Sequence, residues 1–579
     1  MRRRTIIACT AVAVAITGSG TAALAVNDSG FKTVQPSMLT AVMPGIEIAP
    51  LLTVGDVLPS GYRFEAIPDG ISLRPRAQGR VDLFVNHETS KVPFPYVTAG
   101  PTAANSESDF DNAQVSRLIL NPLSAGVLNG SFVIPSSGGF QRFCSNYLAT
   151  AKEGFSRDIL FTNEESPDYV FRQEDSWPPP IGDPAEVENG VVLALDVRNG
   201  QVRTIYGMGR HNHENNVAIP GFDDLVVLSG DDTFTSGPLT GVTFPPGVTV
   251  PAQSQLYSYI APDTDSLLDD EGGLWAFVSD DPSFNDYYDF TPGSAQSVSG
   301  HFIEVPKNIA TGINPDGTEV KAADVGFPTP PTDGSWQRDL RSVAPLGIDG
   351  PQWVLEYWSD INNVFQFVRV EDIAYDKRAG MGNVVYVVDS GRGTAGVSQA
   401  GRSTNGRVWK MVLDPDDPTE VTSLSIAVEG DDNPVKTLNE VHQPDNIETT
   451  ATGLLLTEDP GSSQQFTAAD VGLPNATTAR LWYVPFSGSP EVVVRIDQSA
   501  DGGPTDVDGR PAGNWGAWET TGIVDASAAF GPGAFLINVQ AHTLWVEKAP
   551  GDDNVAPAGP DFTFKREGGQ LLLLRIPGI

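Results

Sequence analysis

The chain repeats a short apolar run that ends on acidic residues. Examples are VDLFVNHE (81–88), DILFTNEE (158–165), DLVVLSGDD (224–232) and GLLLTED (453–459). A short apolar run bounded by polar residues is typical of a buried β-strand. Each run is therefore predicted to be a strand that delivers carboxylates to a common location.

A second apolar run, closed by Pro or Gly, follows most of the acidic strands. NGVVLALDVRNG (189–200), GRVWKMVLDP (406–415) and GQLLLLRIPG (569–578) are examples. A unit of strand, acid, loop and strand that recurs every several tens of residues is typical of propeller blades. The pattern predicts an all-β fold, a β-propeller of six blades, or of seven if GLWAFVSDD (273–281) heads its own blade.

The predicted domain organisation is simple. Residues 26–60 lack alternation and are expected to form an extended lead-in, and 61–579 are expected to form a single propeller domain with loop insertions. Gly (59) and Pro (46) are abundant and long segments of helical period are absent, so helices should be few and short. A closed ring would bring the last strands beside the first and leave no free sheet edge.

Residues 1–25 have the pattern of an export signal. Three arginines (Arg2 to Arg4) precede a short apolar stretch, and the segment ends in Ala-Leu-Ala. Arg-Arg-Thr-Ile-Ile also fits a twin-arginine signal, which exports folded proteins, although ordinary export signals begin with basic residues too. We therefore expect a secreted or extracytoplasmic protein without a membrane span.

The charge of the chain restricts its partners. The formal net charge is −37, and removal of the three arginines of the signal makes it −40. Nucleic acid and anionic membranes are therefore poor partners. A monomer is also expected, independently of the charge. The acidity is explained by solubility outside the cell or by bound hard cations such as Ca²⁺.

Cys144 is the one cysteine left after Cys9 departs with the signal, so the mature chain has no internal disulfide. A lone cysteine is either a small buried hydrophobe or a ligand. It lies about twenty residues before Glu164 and Glu165, which end a predicted strand. A thiolate with carboxylates suits a transition metal such as iron, whereas zinc is disfavoured without paired Cys or His spacing.

A second candidate cluster joins Glu214, which follows His213, to the pair Asp231 and Asp232. The strand between them would be about six residues long, so a straight strand would hold the two groups at opposite ends. Glu214 and Asp232 meet only if the His-Glu segment belongs to the preceding loop and folds back over the ring. A plain turn is the alternative interpretation of the acidic pair.

Two further candidates precede later strands. Arg369 and Glu371 are two residues apart, so an extended backbone would place both side chains on one face, where the guanidinium could hold an oxyanion beside a metal. A surface Arg-Glu pair is the alternative. Asp445 and Asn446, after Pro444, are either turn formers or oxygen ligands for Ca²⁺.

These motifs, in this order, resemble those of PhoX-type alkaline phosphatases. The resemblance rests on Asn-His-Glu (86–88), Cys144 with Glu164 and Glu165, Gly-Arg-x-x-His-Glu (209–214), Ser-Gly-Asp-Asp (229–232), Arg-x-Glu (369–371), Pro-Asp-Asn (444–446) and the segment 518–543. The chain departs from the family after Cys144, where it reads SNYLATAKEG, and at Val370, where Pro is usual.

The resemblance implies an exported six-bladed propeller with Fe³⁺ and Ca²⁺ at one end of its channel that hydrolyses phosphate monoesters. It implies that Arg369 holds the phosphate and that Asp445 and Asn446 lie near calcium or in a supporting turn. The iron-facing ligands would be Cys144, Glu214 and Glu371, with Glu165, Asp231 and Asp232 completing the cluster.

Two other functions fit the same sequence. One is a calcium-dependent, phytase-like or ester-cleaving propeller in which Cys144 is merely buried. The other is a non-catalytic acidic propeller that binds or adheres outside the cell. No Gly-x-Ser-x-Gly elbow is present and the histidines are scattered, so a serine triad is disfavoured.

Overall fold

The computed structural model describes most of the chain after residue 28. The described ranges are 29–64, 67–76, 79–88, 113–165, 169–170, 187–188, 190–233, 242–246, 254–331, 349–391, 405–430, 439–459, 477–497, 518–541, 545–547, 562–565 and 568–579. The predicted export signal, 1–25, lies outside these residues, so its assignment stays a prediction.

Strands dominate the described residues. In chain order they are β1 (Leu39–Ala41), β2 (Glu47–Thr53), β3 (Pro68–Arg76), β4 (Arg80–His87), β5 (Gln114–Leu120), β6 (Val127–Ile134), β7 (Phe143–Ala149), β8 (Ile159–Glu164), β9 (Tyr169–Val170), β10 (Val187–Glu188), β11 (Val192–Asp196), β12 (Gln201–Ile205), β13 (His213–Ile219), β14 (Leu225–Asp231), β15 (Leu256–Ala261), β16 (Gly273–Ser279), β17 (Ser297–Glu304), β18 (Val370–Tyr375), β19 (Val384–Asp389), β20 (Arg407–Leu413), β21 (Glu420–Glu429), β22 (Pro444–Thr449), β23 (Gly453–Glu458), β24 (Arg480–Pro485), β25 (Glu491–Ile496), β26 (Glu519–Asp525), β27 (Ala534–Ala541), β28 (Trp545–Glu547), β29 (Phe562–Lys565) and β30 (Gly568–Arg575).

The helices in the described ranges are few and short, as the composition predicts. The longest, α4, has 11 residues, and it packs Trp353 and Leu355 into a cluster with Ile309 and Val320. The α-helices are α1 (Thr264–Leu268), α2 (Lys307–Thr311), α3 (Ala322–Val325), α4 (Pro351–Ile361) and α5 (Ser527–Phe530), and the 3₁₀ turns are Ser136–Gly138, Ala151–Glu153, Tyr206–Met208 and Tyr287–Asp289.

The strands form successive antiparallel meanders, in which each strand pairs with the next along the chain, except that β8 pairs with β11 and β27 with β30 because the hairpins β9–β10 and β28–β29 are inserted between them. The meanders begin at β3, β7, β13, β18, β22 and β26. The first strand of each contacts the first strand of the next, and β26 contacts β3, so these inner strands close a ring. This arrangement confirms the predicted all-β, propeller class of fold.

The hydrogen bonding does not divide the ring into six separate sheets. β17 extends the third meander and pairs with β21, so the third and fourth meanders form one nine-stranded sheet. Residues Gly273–Ser279 (β16), considered above as the head of a seventh blade, continue the sheet of the third meander.

The burial pattern explains the apolar runs in the sequence. Strand β19 is buried at every position because it is covered on both faces. The outer strand β21 alternates instead, burying Val421, Leu424 and Val428 and exposing Glu420 and Thr422. A strand that is covered on both faces, such as β19, therefore reads as a continuous apolar run, and an outer strand such as β21 as an alternating one.

The N-terminal strands close the ring. Strand β2 pairs with β30, from Glu47 opposite Arg575 to Thr53 opposite Gln570, and β1 pairs with β25. Both strands lie in the segment expected to be an extended lead-in. Strand β1 is the outer strand of the sheet that begins at β22, and β2 is the outer strand of the sheet that begins at β26. The N-terminal residues are therefore hydrogen-bonded to the two C-terminal sheets.

Truncation of Leu52 tests the importance of this closure. Leu52 is fully buried and pairs with Leu571 across the β2–β30 ladder. We expect Leu52→Ala to lower the free energy of unfolding by about 2–5 kcal/mol, measured by urea denaturation. Leu123→Ala, at a 96% exposed position, should change it by less than about 0.5 kcal/mol. Equal effects of the two substitutions would contradict the role of β2.

Candidate metal centre

A β-bulge recurs in every inner strand, directly after the first paired residue in five of them and after the third, Thr521, in β26. In each meander two residues of the inner strand stand opposite one residue of its partner, as between Pro68 and Ile71 of β3 or between Phe143 and Asn146 of β7. The same irregularity occurs in β13, β18, β22 and β26. A bulge turns a side chain away from its regular direction, so each meander aims residues at the end of the ring.

The first bulge position carries a candidate ligand in most meanders. In ring order these residues are Asp69, Cys144, Glu214, Glu371, Asp445 and Gly522. Gly522 has φ +56°, and a Cβ there would lie 2.4 Å from the carbonyl oxygen of Asp69. A side chain is therefore excluded at the sixth position by the backbone beside it.

The residue just beyond each second strand also faces this end of the ring. The pairing places Glu88, Glu165, Asp232, Ser390 and Asp459 directly after the residues that pair with the residue before each bulge. Four of them, all except Ser390, are the acids that end apolar runs in the sequence. The hairpin therefore brings both sets of ligands to one edge.

Three overlapping groups of side chains are close enough to hold metal ions. Within each group, the potential ligand atoms lie within 4.8 Å of one another. The groups are Asp69 with Glu88 and Cys144, Cys144 with Glu165 and Glu214, and Glu214 with Asp232 and Glu371. Because Cys144 and Glu214 are each shared by two groups, the three form one continuous centre.

Cys144 lies between the first two groups. Its thiol donates to Glu165 Oε2 at 2.6 Å, and the neighbouring Ser145 hydroxyl donates to Glu214 Oε1 at 2.6 Å. Asn446 Nδ2 donates to the same Ser145 Oγ at 3.0 Å. Burial raises the pKa of the Cys144 thiol well above its usual value, and Glu165 adds to the effect, so the thiol keeps its proton unless a cation replaces it.

Arg369 is the cation paired with the third group. Its Nε and Nη2 donate to the two oxygens of Asp232 at 2.9 Å each, and Nη2 lies 3.1 Å from Glu371 Oε1. Nη1 lies 3.5 Å from Asp459 Oδ2. Arg369 has φ +65°, so the backbone is not extended as the sequence interpretation assumed. The bulge, rather than strand alternation, places Arg369 beside Glu371.

Strain accompanies the bulges. Ile67, Arg142, Arg369 and Gln443 each precede an inner strand and have positive φ, at 31°, 47°, 65° and 47°. Such conformations cost free energy for residues with a side chain and persist where the surrounding structure enforces them. They recur in four meanders at the same end of the ring as the ligands.

The buried carboxylates repel one another. Burial, with a contribution from neighbouring acids, raises the pKa of Asp69, Glu214 and Asp445 well above the usual values. Glu165 and Glu371 shift in the same direction from burial and from Asp232, although Arg142 and Arg369 respectively oppose the shift. Carboxylates thus outnumber cations in this part of the described chain, which is the condition that a bound cation relieves.

Asp445 and Asn446 occupy the bulge of β22, on a strand instead of in the turn that the sequence suggested. Thr457 Oγ1 donates to Asp445 Oδ2 at 3.3 Å. Thr521 Oγ1 donates to Asn446 Oδ1 at 2.8 Å. Asn446 is therefore a link between Ser145 and the sixth meander, whereas Asp445 keeps its carboxylate toward the other acids.

His213 and Glu214 begin a strand of their own, which the sequence interpretation placed in a loop. Strand β13 turns back into β14, and His213 pairs with Asp231 across the hairpin. No fold-back over the ring is needed, because antiparallel pairing alone brings Glu214 to Asp232.

Besides Asp445 and Asn446, two of the predicted ligands, Glu164 and Asp231, lie outside the three groups. The Glu164 side chain accepts from the backbone N–H of Gln141 at 3.0 Å. Asp231 Oδ1 lies 3.9 Å from His211 Nδ1, in a separate cavity described below. Adjacent residues on a strand point to opposite faces, so Glu165 and Asp232 face the centre while their neighbours face away.

Four acidic residues of the centre were not among the sequence candidates. Asp69 and Glu88 form a group with Cys144, Asp459 contacts Arg369, and burial together with Asp459 raises the pKa of Glu519. The positions of Glu88 and Asp459 after apolar runs were a usable signal. Asp69 and Glu519 carry none, because they lie at the starts of strands.

Comparisons with known proteins do not identify a family. No protein-family model matches the chain, and no curated protein matches it. One solved structure with a similar arrangement belongs to the GH130 family of mannoside phosphorylases, which contains glycoside hydrolases that target β-1,2 mannosidic linkages in Candida mannan. Its sequence is 7% identical to this chain and its TM-score is 0.26. The match covers 82% of this chain and 98% of that chain.

Two other structures are similarly distant. A putative glycosidase from Bacteroides thetaiotaomicron has 8% identity and a TM-score of 0.24, with coverage of 80% of this chain and 96% of that one. An acylaminoacyl peptidase from Pyrococcus horikoshii has 10% identity and a TM-score of 0.21, with coverage of 84% and 60%. These scores are too low to transfer a fold or an activity to this chain.

A search of the described helices for membrane spans gives a negative result. None of them is both long and apolar enough to cross a bilayer.

The repulsion among the acids predicts how stability depends on pH in protein stripped of metal by a chelator. A carboxyl whose pKa is raised by folding stabilises the fold below its unfolded pKa, and this contribution is lost as the pH rises through the folded pKa. For Asp372, whose pKa burial raises from 3.8 to about 6, the window runs from about pH 4 to pH 6. We expect the urea midpoint of the stripped protein to fall above pH 4 and to recover when Ca²⁺ is added at pH 7.

Glu519→Gln tests the repulsion separately from pH, because the amide keeps a hydrogen bond to Asp459 but carries no charge. It should raise the midpoint of the stripped protein at pH 8. Glu420→Gln, at an exposed position of β21, should leave the midpoint unchanged. Stability that is independent of pH and of added Ca²⁺ would contradict the repulsion.

Proposed function

We propose that the protein is an exported, metal-dependent phosphatase of the PhoX type that hydrolyses phosphate monoesters. The observation that carries the proposal is the convergence of one cysteine thiol, several buried carboxylates and a buried arginine at one end of the ring. The order of the motifs in the sequence supports the same family. The expected localisation outside the cytoplasm rests on residues 1–25.

Fe³⁺ and Ca²⁺ fit the donor set of the centre. A thiolate suits a transition ion, and clustered carboxylates suit Ca²⁺. We assign Cys144, Glu214 and Glu371 to iron, with Glu165 and Asp232 completing the coordination of iron or calcium. Asp69 and Asp445 are further carboxylates for Ca²⁺. Asp231 and Glu164 are left out of this assignment, because their side chains lie elsewhere.

Such cations, when bound, neutralise charge on phosphoryl oxygens and lower the pKa of bound water. The role of the chain itself is to position the substrate. The contact between Arg369 Nη1 and Asp459 Oδ2, at 3.5 Å, is longer than the contacts that Nε and Nη2 make with Asp232. Asp459 is also partly exposed. A phosphate oxygen can replace Asp459 as the acceptor there, while Nε and Nη2 stay fixed on Asp232. Arg369 would thus hold the phosphoryl group at a fixed distance from the metal ligands.

We also propose that the ring counts as six blades. The third and fourth meanders share a sheet, but each has its own inner strand and its own bulge, at Glu214 and at Glu371. The same two-to-one bulge lies at the same place in the other four meanders. Six equivalent units therefore supply the site, and the merging occurs only at the outer edge, between β17 and β21.

Cys144→Ser tests the proposal most simply. In purified exported protein we expect iron and calcium to be bound and phosphomonoesters to be hydrolysed. The substitution should lower iron content and decrease kcat by at least about 100-fold, since it removes the soft ligand. Glu165→Gln should also lower metal content, whereas Glu164→Gln, one residue away, should not. A calcium-dependent activity without iron that survives Cys144→Ser would favour the phytase-like alternative and overturn this proposal.

Arg369→Lys tests the phosphate contact. Lysine keeps the charge but not the planar fork that holds Asp232, so we expect kcat/KM for a phosphomonoester to fall by about 10²–10³-fold while metal content is retained. Arg378→Lys is a matched control, because Arg378 also binds an aspartate, Asp376, through Nε and Nη2, at the surface. An equal loss of activity in both variants would show that Arg369 has no special role.

A further inference from the structure

A second polar cavity lies behind the third meander. It is enclosed by the segment before β13, the end of β14, β15 and helix α4, and its volume, about 10 Å³, is the size of one small ion or water. His211, Asn212, Asp231, Tyr257 and Glu356 line it. None of the groups that form the centre described above includes these residues.

Three polar atoms in this cavity lack a hydrogen-bond partner in the described part of the chain. They are His211 Nδ1, Asn212 Oδ1 and Asp231 Oδ1. Their residues are 4%, 1% and 1% exposed, so bulk water does not satisfy them. Buried polar atoms without partners are rare in folded proteins and cost free energy unless something binds them.

The His211 ring is fixed in place. It stacks on His213, with centroids 3.5 Å apart, and on Tyr257, at 4.8 Å. Its Nε2 lies 3.4 Å from Ser229 Oγ, which leaves Nδ1 for the cavity. An outer hydrogen bond that orients the second ring nitrogen is usual for metal-ligating histidines.

Two acids face the cavity with the neutral ring. Glu356 Oε1 accepts from Gln255 Nε2 at 3.0 Å, and Asp231 Oδ1 is 3.9 Å from His211 Nδ1. His213 Nε2 donates to the carbonyl oxygen of Gly209, so its Nδ1 accepts from Ser229 Oγ, and Ser229 Oγ in turn accepts from His211 Nε2. His211 Nδ1 therefore carries the lone pair of the ring, which is the form that binds metals.

We propose that this cavity is a separate binding site for one divalent transition-metal ion, with His211 Nδ1, Asp231 Oδ1 and Asn212 Oδ1 as ligands. Metal–nitrogen and metal–oxygen bonds of roughly 2.0–2.2 Å can bridge the observed 3.9 Å between His211 Nδ1 and Asp231 Oδ1. A mixed set of one imidazole, one carboxylate and one amide oxygen suits an ion such as Mn²⁺ or Zn²⁺. Ca²⁺, which takes about 6–8 oxygens, suits this set poorly.

A trapped water is the competing occupant. It can donate to two of the three unpartnered atoms, Asn212 Oδ1 and Asp231 Oδ1, but it has no third proton for the lone pair of His211 Nδ1. A divalent ion binds all three. The observations therefore favour the ion.

The nitrogen ligand gives a direct test. The three ligand groups of the main centre contain only thiol and carboxylate donors, so imidazole coordination of Mn²⁺ reports on this cavity. The full-length exported protein would be stripped by a chelator, loaded with one equivalent of Mn²⁺ and examined for ¹⁴N modulation by pulsed electron paramagnetic resonance. We expect an imidazole signal in the wild type and in Glu214→Gln, and its loss in His211→Gln, with one equivalent less of bound metal.

Matched variants keep the outcome clear. Asp231→Asn, which keeps the shape of the side chain but removes the carboxylate, should weaken Mn²⁺ binding at least about 10-fold even if His211→Gln does not fold. His301→Gln, which removes an exposed His–Asp280 pair, should leave the signal intact. Absence of the signal in the wild type, or its survival in folded His211→Gln, would overturn the proposal. Loss of phosphatase activity with the signal retained would count against the proposed function alone.

Discussion

Mutual repulsion of buried carboxylates is the constraint on which this structure depends. Closure of the ring brings Asp69, Glu165, Glu214, Glu371 and Asp445 together away from water, where burial and like charge raise the pKa of each. Such an arrangement is unfavourable unless protons or cations neutralise it. Arg369 neutralises only part of it, so the stability of the fold is thermodynamically linked to the binding of the protons or cations that neutralise the rest.

The apolar core makes this arrangement possible. Fully buried residues such as Leu571 and Trp409 pack the meanders around the inner strands. The ladder between β2 and β30 then holds the ring closed. The strained residues before the bulges, such as Arg369 and Gln443, are tolerated because strands on both sides fix their backbone. Packing and strand pairing at the periphery of the ring thus stabilise the fold against the strain and charge repulsion at its centre.

Most of the fold and half of the centre could be predicted from residue pattern alone. Apolar runs that end in acids identified the strands, and Glu165 and Asp232 lie where such a run predicts. The bulges could not be predicted, because nothing in Phe143 or Val370 signals an extra residue in the ladder. For the same reason, strand alternation gave the wrong geometry for Arg369. Both Asp231 and Asp232 were assigned to the centre, but only Asp232 faces it. Asp69 and Glu519 lack any local signal, since only ring closure brings them near Cys144 and Asp459.

The central claim is that one sulfur and carboxylates from several meanders share iron and calcium. Anomalous diffraction above and below the iron absorption edge, from crystals of the purified protein, measures this directly. The account predicts an iron peak within bonding distance of Cys144 Sγ, with Glu214 and Glu371 around the same cluster. Well-ordered crystals of active protein with no anomalous scatterer near Cys144 would contradict it.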